Sequence, residues 1–140
     1  MKDSLKPGLS FEFQYNVPES KTVPHLFPEF DEGSVMPNVF ASGYMVGLFE
    51  FACIKAINPH LDWPDEQSVG IGFSLSHTAA TPPGFTVTVK GKLEKVEGRK
   101  LTFGIEAHDG IDAISRGTHE RFVIDAAKFK SAVAEKAGKL

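Results

Sequence analysis

Three residues have types and surroundings that suit them to chemistry: Glu50, His77 and Ser42. Glu50 stands in Gly47-Leu48-Phe49-Glu50-Phe51-Ala52-Cys53, where every other residue is uncharged. A carboxylate is costly to remove from water, and glutamate is rarely buried unless it is paired. A carboxyl desolvated there would suit the work of a general base or nucleophile. The bland alternative is a single wet stripe on an otherwise apolar helix. His77 closes the alternating run Val69, Ile71, Phe73, Leu75, His77, so it is expected on the apolar side of a strand facing Glu50. A satisfied core histidine is the competing reading. Ser42 precedes the apolar run and fits a helix N-cap. The free amides at that end, Gly43 among them, can stabilise a developing oxyanion.

Spacing constrains the trio. Eight helical residues separate Ser42 from Glu50, a rise of about 12 Å, beyond the reach of both side chains. Either the site is completed across a dimer interface, or Ser42 lies off the helix axis. Weaker signals fall away on inspection. Gly70-Ile71-Gly72 opens like a dinucleotide fingerprint, but Leu75 fills the third glycine position and no helix follows. His25, His60, His77, His108 and His119 lack metal-ligand spacing, and Cys53 stands alone. Lys90, Lys92, Lys95, Arg99 and Lys100 flank one hairpin and read equally well as a phosphate contact or a lysine-protected sheet edge.

The elements that must position these residues follow from periodicity. Phe11, Phe13, Tyr15 and Val17 alternate with polar residues as a half-buried strand does. Residues 18 to 40 show no period, contain four prolines, and read as a lid or strap. From Ser42 to Ile57 apolar residues cover nearly every side of a predicted helix, ended by Asn58-Pro59. Four strands follow, near 69–77, 85–94, 101–107 and 113–125, with turns at Pro82-Pro83-Gly84, Glu97-Gly98-Arg99 and Asp109-Gly110. Residues 126–137 are weakly helical. A helix apolar on most sides needs a sheet curled around it or a second subunit. The predicted fold is therefore α+β, a single hot-dog domain over 1–140, with a curved antiparallel sheet around one long buried helix. An open edge strand favours a homodimer built on a continuous sheet.

Composition bounds the function. The chain has 140 residues, 41% hydrophobic and 24% charged, with a net charge of −3. That is globular, and too acidic for a general nucleic-acid partner. The most apolar stretch is too short to span a membrane. A lone cysteine suits a reducing compartment, and a cytoplasmic location is expected.

Two long segments carry a family resemblance: Val39-Phe40-Ala41-Ser42-Gly43-Tyr44-Met45-Val46-Gly47-Leu48-Phe49-Glu50 and His77-Thr78-Ala79-Ala80-Thr81-Pro82-Pro83-Gly84. Lys21-Thr22-Val23, Ala107-His108-Asp109-Gly110 and Gly117-Thr118-His119-Glu120-Arg121 add to it. The chain resembles the fluoroacetyl-CoA thioesterase group of the hot-dog superfamily over nearly its whole length. The resemblance implies a homodimeric hydrolase that cleaves a small acyl-CoA to free acid and CoA. It implies no metal and no organic cofactor, CoA entering with the substrate. A hydroxyl–carboxylate–imidazole set falls on Ser42, Glu50 and His77, and substrate-contacting residues fall on Gly70 and Arg121. Where the fluoroacetyl-specific pattern has threonine and an aromatic lid residue, this chain has Ser42 and Met36. Serine lacks the methyl that restrains the rotamer, and methionine is adaptable. The rival expectations are a hot-dog enoyl-CoA hydratase and a non-catalytic acyl-CoA binding module.

Overall fold

Each alternating run becomes a strand of one antiparallel sheet in the computed structural model, which describes residues 1–140. The main elements are β1 (Ser10–Asn16), α1 (Ser42–Ile57), β2 (Glu66–Leu75), β3 (Thr86–Glu97), β4 (Lys100–His108), β5 (Ala113–Asp125) and α2 (Ala126–Ala137). The sheet order is β1-β3-β4-β5-β2, so β1 and β2 are its two edges. Phe11 and Phe13 of β1, Val87, Val89 and Leu93 of β3 and Leu101, Phe103 and Ile105 of β4 form the inner face. They pack in one core with Met45, Leu48, Phe49, Ala52, Cys53 and Ile57 of α1. Burial pushes the Cys53 thiol up to about 12, so it stays protonated and serves as a small apolar group.

The six buried residues of α1 recur every three or four positions, which places them on one helical face. The sequence led us to expect burial on most sides. Instead Phe51 is 61% exposed and Lys55 lies beside it on the same open stripe. One sheet covers only one side of a helix. The amphipathic α2, capped by Asp125 Oδ1 accepting from the Lys128 amide at 3.0 Å, lies on the outer side of the sheet. There Phe129 and Val133 line a groove with Val69 and Ile124.

Strand β2 departs from simple alternation. Gly70 pairs with Arg121 and Gly72 with Glu120, which leaves Ile71 without a partner in a β-bulge. A bulge inserts one residue and reverses which side chains face inward. Before it, Ser68 and Gly70 face α1, while Val69 turns outward toward α2. After it, Phe73 pairs with buried His119 and faces inward. The expectation that Val69, Ile71, Phe73, Leu75 and His77 share one face is corrected accordingly: the bulge divides that set.

The 18–40 segment folds into three short 3-10 turns, Glu19–Lys21, Val23–His25 and Asp31–Val35. Its ends are tied, because Thr22 bridges Phe40 and the Ala41 amide donates to the Lys21 carbonyl at 3.1 Å. The Tyr44 hydroxyl donates to the His25 carbonyl at 3.1 Å and anchors the segment on α1.

Candidate active site

Ser42 is the first residue of α1, not its cap. Ala41 takes the extended cap conformation (φ −74, ψ 139) and offers no side-chain hydrogen bond. The amides of Ser42, Gly43 and Tyr44 therefore lack intrahelical acceptors. The Ser42 hydroxyl, already inside the helix, turns to His77 instead, with Oγ 2.6 Å from Nδ1. Burial lowers the His77 pKa from its ordinary value and favours the neutral ring. Neutral His77 can carry its proton on Nδ1 and donate to Ser42 Oγ, which leaves the hydroxyl proton free for another acceptor, while its buried Nε2 has no partner within the chain.

Hydrogen bonds between distant segments bring this pair together. The Phe40 amide, two residues before Ser42, donates to the Thr81 carbonyl at 2.8 Å. The Thr81 hydroxyl donates to Asp109 Oδ2 at 2.9 Å, and Asp109 Oδ1 accepts from the amides of Ile111 and Asp112. Burial on its own raises the Asp109 pKa, but the bonds from Asp112, Ile111 and Thr81 outweigh it and hold the carboxyl below its usual value. The Thr78 amide donates to the Ile114 carbonyl at 2.8 Å, which fixes the chain just after His77.

Glu50 lies about two turns further along α1. Its side chain is 34% exposed, so the burial expected of it is only partial. Oε2 accepts from Arg121 Nη1 at 2.9 Å. Arg121 is 2% exposed and makes three further bonds: Nε to Ser68 Oγ at 2.8 Å, Nη2 to the Ser68 carbonyl at 2.8 Å, and Nη1 to His119 Nε2 at 3.1 Å. Gly70 sits across from Arg121 in the sheet register. A Cβ at that position would stand 2.7 Å from Glu50 Oε2, so the carboxylate occupies room that only glycine leaves.

The chain thus presents two polar clusters, Ser42 with His77 and Glu50 with Arg121, Ser68 and His119. No hydrogen bond joins them. Because Ser42 lies on the helix axis, the spacing of about 12 Å stands, and the off-axis alternative is set aside. Gly43 lies one residue further along, with the Leu26 side chain 3.2 Å from where its Cβ would be. Met36 is half-exposed in the tied segment. A depression of about 820 Å³ runs over the outer face of the sheet among Glu12, Lys90, Lys92, Glu106 and Arg116, away from every candidate residue. No group of three or more His, Cys, Asp or Glu side chains is placed to hold a metal ion. No helix is long and apolar enough to cross a membrane.

Sequence reasoning missed His119 and Ser68. A usable signal existed in β5, where Ser115, His119, Arg121 and Val123 alternate onto the buried face. Three polar residues on a buried strand face demand partners.

A family model described as "Fluoroacetyl-CoA-specific thioesterase" matches residues 22–127. This chain belongs to that family. A fluoroacetyl-CoA thioesterase from Streptantibioticus cattleyicolor is 51% identical over 136 residues, covering 97% of each chain. A phenylalanine-to-alanine variant of the fluoroacetyl-CoA-specific thioesterase, solved in complex with fluoroacetate and CoA, superposes with a TM-score of 0.86 at 51% identity. That match covers 89% of this chain and 99% of the other. A thioesterase superfamily member from Thermus thermophilus gives a TM-score of 0.83 at 28% identity, over 95% of this chain and 93% of the other. The sheet and helix are those of the hot-dog fold of these thioesterases, as expected. The family match spans both polar clusters and all of β2 to β5.

Proposed function

We propose that this protein is an acyl-CoA thioesterase that hydrolyses a small acyl-CoA to the free acid and CoA, without a metal or organic cofactor. The observation that carries the reading is the Glu50 carboxylate, held by buried Arg121 in room left by Gly70, within a thioesterase family. Pure binding gives no reason to hold a carboxylate beside an acyl group. The Ser42 hydroxyl and the first amides of α1, that of Gly43 included, bind the thioester carbonyl oxygen and the negative charge that develops on it. Glu50 attacks the acyl carbon, or deprotonates a water that does so. The C–S bond breaks, and neutral His77 relays to the thiolate so formed a proton taken from the water that is consumed. Single turnover in ¹⁸O water separates the routes, since label in Glu50 appears only through an acyl–Glu50 anhydride. Arg121 orients the carboxylate, Gly70 leaves space beside it, and Met36 is assigned to the acyl end by resemblance.

The working unit in this proposal is a homodimer joined through β2. The edge strand exposes Ile71 at 51% and Phe73 at 46%, and α1 exposes Phe51. The chain exposes 8261 Å², against about 7,100 Å² for a monomer of this mass. In the dimer, Ser42 and His77 of one protomer face Glu50 of the other across a shared site. Release of free CoA thiol from acetyl-, fluoroacetyl-, propionyl-, butyryl- and phenylacetyl-CoA tests the reaction class. Thiol release that Glu50→Gln abolishes supports it. Loss of enoyl absorbance without thiol points to a hydratase, and saturable binding without turnover to a binding module.

A further inference from the structure

His119 is fully buried, 0% exposed, and the mechanism above does not use it. Its two ring nitrogens have partners of fixed character. Nδ1 lies 2.8 Å from the Gly72 carbonyl, which can only accept, so Nδ1 carries the proton and donates. Nε2 lies 3.1 Å from Arg121 Nη1, which can only donate, so Nε2 is bare and accepts. The ring is therefore neutral and held in one tautomer. Phe73 stacks on it at 4.4 Å between centroids and 14° between planes, which fixes its orientation. The Gly72 carbonyl follows directly after the bulged Ile71, so the same imidazole ties the bulge to the guanidinium.

Arg121 Nη1 spends one N–H on His119 and the other on Glu50 Oε2. Without the imidazole acceptor that group can rotate, and the Glu50 carboxylate, still partly open to water, moves with it. We propose that His119 is a positioning residue, which sets the carboxylate of Glu50 by fixing the guanidinium of Arg121. This rests on Glu50 being the group that acts on the thioester. His119 touches no reacting atom. Burial, and the neighbouring Arg121 charge, lower its pKa against the opposing effects of the Gly72 bond, Glu50 and Glu120, so it stays an acceptor at neutral pH.

Two variants split the two bonds. Asn at 119 can keep the donor toward Gly72 but ends short of Arg121, whereas Gln reaches far enough to place an amide oxygen near the Nε2 position. With acetyl- and fluoroacetyl-CoA as substrates, His119→Asn is expected to lower kcat by about tenfold or more with KM within about twofold, and His119→Gln to restore most of kcat. Equal kcat in the two variants overturns the proposal. So does wild-type kcat in His119→Asn with only a lower melting temperature. Should neither variant fold, ¹⁵N NMR of the wild-type imidazole decides: a proton on Nδ1 with bare Nε2 supports it, and a proton on Nε2 overturns it. Glu50→Gln runs alongside. Wild-type turnover there removes the catalytic reading itself, whereas an inactive Glu50→Gln beside a fully active His119→Asn removes only the role of His119.

Discussion

At the residue scale, the two halves of the candidate site depend on protons in different ways. His77 must be neutral to take up the proton it relays, and burial lowers its pKa from 6.5. The acid limb of kcat/KM that His77 sets therefore lies below the ordinary imidazole range, and His77→Gln removes it; a limb at or above 6.5 contradicts the assignment. Stability follows the same groups. A histidine whose folded pKa is depressed binds more protons when unfolded, so the fold loses stability as pH falls from about 6.5 toward the folded value, then levels off. His77 and His119 both act in this direction. Asp109, also depressed, contributes stability that is lost only as pH falls below 3.8. The urea midpoint is expected to drop between about pH 7 and pH 5, with a shallower drop in His119→Gln. Glu50→Gln keeps the Arg121 contact through its amide oxygen and loses the basic carboxylate. It should reduce kcat by about 10²–10⁴, measured as thiol release, with little change in melting temperature.

At the scale of elements, β2 and α1 carry the argument. The bulge at Ile71 turns Gly70 toward Glu50 and, beyond it, turns Phe73 onto His119. Gly70→Ala would put a methyl where Glu50 Oε2 now sits. Because a flexible side-chain tip gives way more readily than backbone, the expected result is a well-folded protein with a misplaced carboxylate: kcat lower by about tenfold or more, melting temperature nearly unchanged. A matched loss of stability and activity would instead assign Gly70 to packing. The strands were legible because alternation survives along β1 and β4 and over most of β3 and β5, whose own register shifts fall beyond Leu93 and at Ile114, and α1 was legible from its apolar run and the Asn58-Pro59 stop. The bulge at Ile71 was not. A single inserted residue leaves the sequence alternating on paper while the faces exchange, and only the pairing with β5 reveals it. The same blindness hid the Arg121–Glu50 pair, whose members are distant in sequence and meet only through that register. Ser42, Glu50 and His77 could be picked individually from residue type and surroundings, but their partners came from the fold.

For the whole molecule, the separation of the two polar clusters makes a quantitative prediction about assembly. Ser42 and Glu50 are about 12 Å apart along one rigid helix, and no single thioester carbonyl can touch both. If each site takes Ser42 and His77 from one protomer and Glu50 from the other, Ser42→Ala and Glu50→Ala subunits complement each other. A heterodimer then holds one site with every group intact and one lacking both, by the symmetry of an isologous interface. Random mixing makes half the dimers heterodimers, so activity should recover to about a quarter of wild type from two inactive parents. Subunit exchange is confirmed by native mass spectrometry of the mixture. Heterodimers without recovered activity would place all three groups in one protomer and require α1 or the tied 18–40 segment to rearrange when substrate binds. Ile71→Lys supplies a second arm, since it places a charge on the exposed edge of β2. With a shared site it lowers the mass in sedimentation and the thiol release together, and activity returns as protein concentration rises. With a self-sufficient protomer, mass falls while turnover per chain is retained.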